Sequence, residues 1–178
     1  MRFLKLVGFV LICEFAGVIG SVFTASSVTT WYTVLVKPSL NPPSWVFGPV
    51  WTTLFFLMGV SLFIVSEKKW KVSKRIFQSR KKAWNPVSER LWSGDLQKMN
   101  AVSVFLVQYI LNIFWSYAFF GLESPVLGFF VIVALWISIV YVVVNFYRIS
   151  RAASSLLIPY LLWVTFAAYL NYSIWMLN

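Results

Sequence analysis

Gln108, Asn112 and Trp115 fall at i, i+4 and i+7, a spacing that sets all three on one stripe of an α-helix. Around them, residues 99–122 contain no charged side chain. Two amides in so apolar a helix turn toward a neighbouring helix or a cavity, because lipid offers them no hydrogen bond. Trp51, Phe55 and Met58 make an aromatic and thioether stripe on a second segment. Trp163, Ala167 and Asn171 make a third, with Ala167 small enough to leave room. Flat aromatic walls with a few amides compose a mainly apolar small-molecule site. The same amides also suit plain interhelical hydrogen bonding, worth roughly 0.6–2 kcal/mol each. Both readings stay open on spacing alone.

Most other chemistry is excluded by composition. The chain has no histidine and a single cysteine, Cys13. That removes His–Cys zinc sites, Ser-His-Asp triads, the usual proximal haem ligand and any intramolecular disulfide. No acid–base pair or phosphate-binding loop supports hydrolysis or phosphoryl transfer. No cofactor or metal is expected.

The elements that must position these stripes are membrane helices. Of the 178 residues, 60% are hydrophobic and 11% charged, where a soluble domain carries about 25% charged residues. Five apolar stretches, at about 3–23, 46–65, 99–122, 125–147 and 152–177, each suffice to cross ~30 Å of hydrocarbon, which takes about 20 residues. The last four hold no charge; the first has Lys5 at its edge and Glu14 at its centre. A cleaved signal peptide is the weaker reading of the first stretch, which is long for one and interrupted by Glu14. The expected fold is therefore an all-α bundle of five transmembrane helices in a single domain, 1–178.

Fourteen of the fifteen basic residues fall at the N-terminus, between Lys68 and Lys98, or at Arg148 and Arg151; only Lys37 lies on the opposite side. The positive-inside rule then places the N-terminus in the cytoplasm and the C-terminus outside, with the cell membrane the expected location. The basic segment 67–98 interleaves Trp70, Phe77, Trp84 and Trp92 with lysine and arginine. This pattern suits an amphipathic stretch on anionic lipid headgroups better than a merely solvated loop. No nucleic-acid motif accompanies the charge, so no nucleic-acid partner is expected.

Three prolines, Pro38, Pro42 and Pro43, crowd the connection before the second span, which must be an ordered turn-rich loop. The run Trp31-Tyr32, Lys37-Pro38-Ser39, then Pro42-Pro43-Ser44-Trp45-Val46-Phe47-Gly48-Pro49-Val50-Trp51 resembles the loop and second-helix signature of the TspO/MBR family. The resemblance continues through Met58-Gly59, Gln108…Asn112…Trp115, Phe119-Phe120-Gly121 and Pro159-Tyr160-Leu161…Trp163…Phe166-Ala167…Leu170-Asn171. The segment 67–98 departs from it, being longer than the short connection that the family pattern has there.

The resemblance implies a five-helix membrane bundle, often a homodimer, with a pocket near the loop side. It implies binding of tetrapyrroles such as protoporphyrin IX and haem, and in some members sterols and isoquinolines. The preferred function is a porphyrin-binding sensor or scavenger; a light-dependent porphyrin-degrading enzyme is the alternative, and a porphyrin or sterol transporter the weakest. Candidate ligand contacts are Tyr32, Lys37, Trp51, Phe55, Gln108, Asn112, Trp115, Trp163, Ala167 and Asn171. Lys37 could pair with a porphyrin propionate or simply be solvated, and without histidine an iron-free porphyrin is the more natural ligand.

Glu14 has Gly17, Val18 and Ser21 on its helical face, so a neutral acid hydrogen-bonded across helices is preferred to a ligand contact or proton site. The small-residue pairs Ala16/Gly20 and Gly17/Ser21 are expected to serve bundle packing. Val144, Tyr147 and Arg151 fit the loose cholesterol pattern, which is common by chance. Trp45 and Trp175 are expected in the interfacial aromatic belt.

Overall fold

The computed structural model describes residues 2–68 and 94–178, with side chains for 2–68 and 99–178. Most of the basic segment therefore lies outside the described residues, and with it the surface reading of Trp70, Phe77, Trp84 and Trp92. Among the described residues the chain is helical with no strand, and five helices are long and apolar enough to cross a membrane. They are α1 (Arg2–Thr29), α3 (Ser44–Glu67), α4 (Gly94–Ser116, running on through Tyr117–Gly121), α5 (Pro125–Ile149) and a fifth span of α6 (Arg151–Ser155) with α7 (Ile158–Leu177). A short helix α2 (Trp31–Val34) lies in the first connection.

Several boundaries differ from the expected ones for local reasons. α1 continues six residues past 23, to Thr29. The added turns are less apolar, and their hydroxyls bond back to the helix: Thr24 Oγ1 donates to Gly20 O at 2.9 Å and Thr29 Oγ1 to Ser26 O at 3.1 Å. The fifth span is interrupted after Ser155 because Pro159, at the start of α7, has no N–H for a continuous helix. α4 ends in a π-turn, in which Leu122 N–H reaches Tyr117 O at 2.8 Å, five residues back. Glu123 then takes φ 51°, and Ser124 caps α5 by accepting from Leu127 N–H at 3.3 Å.

α1 packs on α3 and α4, α4 on α5, and α5 on α7, while α6 touches α3. α1 and α3 come closest at Gly59, where an added Cβ would lie 2.6 Å from Val10 Cα. Only glycine permits that approach. Polar ties close the ring: Ser27 Oγ donates to Phe120 O, Ser61 Oγ to Ala153 O and Tyr109 OH to Ile12 O, each at 2.7 Å. At one end of the bundle Arg2 and Lys5 meet Glu67 at 3.1 and 3.3 Å. At the other, Asn178 bonds both backbone groups of Val36, fastening the C-terminus to the proline-rich loop. Within this ring α3 and α4 barely touch.

Candidate functional site

The space between α3 and α4 is a cavity of about 510 Å³. One wall is aromatic. The Trp51 ring lies 5.5 Å from Phe55 at 28° and 5.8 Å from Trp115 at 31°; Trp115 stacks on Phe119 at 6.0 Å, and Phe119 meets Phe120 edge-on at 4.8 Å. These five rings run without a break from α3 to the end of α4. Phe119 and Phe120 both border the cavity from within the π-turn at Tyr117–Gly121, where the spiral is wider than in an α-helix. The opposite wall is α1, which offers mostly small side chains, among them Ala16, Gly17, Gly20, Ser21 and Ala25.

The amide stripe divides between two jobs. Tyr160 OH donates to Gln108 Oε1 at 3.0 Å and accepts from Asn112 Nδ2 at 2.9 Å. Gln108 is 1% exposed and does not line the cavity; Asn112 is 3% exposed but reaches the lining. Gln108 therefore sits where an interhelical tie sits, and Asn112 combines tie and wall. Asn171 joins in similarly, accepting from Trp115 Nε1 at 3.3 Å and donating to Ala167 O at 3.0 Å. Its bond orients the Trp115 ring that forms the middle of the aromatic wall.

Of the residues singled out from sequence, Tyr32, Trp51, Phe55, Asn112, Trp115, Ala167 and Asn171 come together around one cavity. Gln108, Lys37 and Trp163 lie outside its lining. The Lys37 ammonium donates to Thr33 O at 3.3 Å and Leu35 O at 3.2 Å and sits 4.7 Å from the centre of the Tyr32 ring. That ring stands between it and the cavity. Tyr32 OH in turn donates to Asn41 Oδ1 at 2.8 Å, and burial holds its phenol above the ordinary range, partly offset by that bond. Trp163 packs against Phe47 and Phe166, its buried indole N–H without an acceptor among the described residues.

A sequence model of the TspO/MBR family matches residues 9–176. The chain belongs to the TspO/MBR family. With its five spans, this TspO/MBR protein is a multi-pass integral membrane protein. It is 43% identical to the tryptophan-rich protein TspO of Chlorobaculum tepidum over 94% of this chain and 91% of the relative. Its identity to the tryptophan-rich protein TspO of Archaeoglobus fulgidus is 40%, over 100% and 99% of the two chains. To the human translocator protein it is 34% identical, over 94% of this chain and 86% of the relative.

Much of the TspO/MBR cavity is built from residues that no single-helix stripe contains. The small residues of α1 were assigned to packing, yet the same lack of bulk makes them a cavity wall. Phe119 and Phe120 stand in a motif, but only the packed bundle shows that both border the cavity. Tyr160 stands in a motif too; its role depends on which residues of α4 it faces. Glu14 also differs from expectation: it lines the cavity and makes no hydrogen bond across helices among the described residues.

Proposed function

We propose that the chain binds a flat, largely apolar tetrapyrrole between the aromatic wall and α1, acting as a membrane sensor or scavenger. The observation that carries this reading is the unbroken run Phe55–Trp51–Trp115–Phe119–Phe120 facing a wall of small residues. Such a slot accepts an extended ring system on one face by stacking, while α1 leaves room for the other. Its 510 Å³ falls within the ~300–1,000 Å³ of small-molecule sites. Asn112, Asn171 and Tyr32 add polar atoms, which orient rather than drive binding. In the cell membrane, the N-terminus faces the cytoplasm and the cavity's Tyr32 end lies toward the outside, in keeping with the basic-residue asymmetry.

The test is titration of the detergent-solubilised protein with protoporphyrin IX, read by quenching of tryptophan emission in the dark. Saturable 1:1 quenching supports the reading, and its absence ends it. Illumination of the complex then separates the alternatives. Loss of porphyrin absorbance that depends on Trp51 would make the protein a light-dependent degrader, and stable absorbance leaves a binding protein.

A further inference from the structure

Glu14 lies at the end of the cavity away from Tyr32. It is the lining residue of α1 nearest the N-terminus, and Phe55, the last lining residue of antiparallel α3, shares its level. A Cβ placed on Gly17, one turn further on, would lie 2.9 Å from the Phe55 ring, so the two helices close together just there. Among the described residues, Glu14 carries the only carboxyl group on the cavity lining, to which no described lysine or arginine contributes.

No described residue pairs with that carboxyl. The basic side chains of its own helix, Arg2 and Lys5, are held by Glu67. On the facing helix, Tyr109 OH is committed to Ile12 O at 2.7 Å. Among the donors elsewhere on the lining, Ser21 turns to Val18 O, Thr24 to Gly20 O, Asn112 to Tyr160 and Asn171 to Ala167 O. An acid within a membrane span and without a partner is costly, and a bound molecule that brings a donor to it removes that cost.

We infer that Glu14 is the specificity-determining contact of this cavity, accepting a hydrogen bond from an N–H group or cationic nitrogen of the ligand. In a metal-free tetrapyrrole those donors are the central N–H groups, which lie in the plane of the macrocycle and reach a carboxyl over its face when the ring puckers or its core is protonated, and the ring's acidic edge keeps to the Tyr32 end, away from the carboxyl. The inference rests on the cavity being the ligand site proposed above.

Two probes of nearly the same outline separate the ideas: protoporphyrin IX and its nickel(II) chelate, in which a square-planar ion replaces the pyrrole hydrogens. Both are titrated into full-length wild type, Glu14→Gln and Glu14→Ala in detergent. Wild type should prefer the metal-free ring about tenfold, the scale of one charge-assisted hydrogen bond. Glu14→Ala should erase that preference, by weakening binding of the metal-free ring, by strengthening binding of the chelate that leaves the carboxyl without a donor, or by both, and Glu14→Gln, which keeps an acceptor, should fall between. Equal weakening of both probes, or a preference that survives in Glu14→Ala, overturns the inference. Failure of the cavity reading looks different, because neither probe would then bind wild type.

Discussion

The indole of Trp51 on α3 lies 5.8 Å from that of Trp115 on α4, with the two planes inclined by 31°. The backbones of these helices barely meet, so the rings reach across an open interior. Asn171 holds the Trp115 N–H, Tyr160 touches the Trp51 ring edge-on at 6.3 Å, and α7 thereby fixes both indoles in one wall. Stacked or offset aromatic pairs contribute about 0.5–1.5 kcal/mol beyond area burial.

That wall makes the first expected outcome. Trp51→Ala and Trp115→Ala should each weaken protoporphyrin IX binding about tenfold, followed by the absorbance of the porphyrin itself, with phenylalanine at either position restoring part of the loss. Trp45, 75% exposed and outside the cavity lining, is the control. Its replacement by alanine should leave affinity unchanged; an equal loss at all three positions would dismiss the wall as the binding surface.

The Gln108–Tyr160–Asn112 relay yields a stability prediction. Tyr160→Phe strands two buried amide groups, at a cost of about 1–3 kcal/mol, and should lower the thermal midpoint in detergent. Gln108→Leu removes the relay member outside the cavity, so it should lower stability while porphyrin affinity stays within about twofold of wild type. A large affinity loss in Gln108→Leu would make Gln108 a ligand contact.

Gly59 sets the contact of α1 with α3. Gly59→Ala forces a methyl to 2.6 Å from Val10 Cα, and overpacking of this kind costs about 1–3 kcal/mol. Gly48→Ala, where an added Cβ meets nothing within 4 Å, should leave the thermal midpoint unchanged. Equal midpoints for the two variants would show that the bundle relaxes freely at Gly59.

Orientation is checked by thiol labelling in a Cys13→Ser background. Leu40→Cys, in the exposed proline-rich loop, should react with an impermeant reagent added to intact cells, whereas Lys68→Cys should react only after lysis. The reverse pattern would place the basic end outside.

The five spans and the membrane class were legible in the sequence because they depend on local quantities, the length and apolarity of each stretch and the absence of charge within it. The family motifs were legible for a similar reason, as runs of adjacent residues. Residue type and helical spacing also sufficed to place Asn112 and Asn171 facing the interior, since amides in a charge-free helix turn inward, and Trp115 with them, since it shares the Asn112 stripe. Tertiary structure alone decided which inward side chains meet a cavity and which meet each other. Gln108 and Asn112 are one helical turn apart and chemically near-identical, and the Tyr160 hydroxyl on α7 bonds both, yet only Asn112 reaches the lining. Lys37 was available to a ligand until the loop folded its ammonium onto two carbonyls behind Tyr32. Phe119 and Phe120, in the π-turn, both border the cavity. Small residues permit both close packing and open space: Gly59 of α3 abuts Val10 of α1, whereas Ser21 and Ala25 of α1 border the cavity, a relationship between segments that no periodicity within one of them encodes.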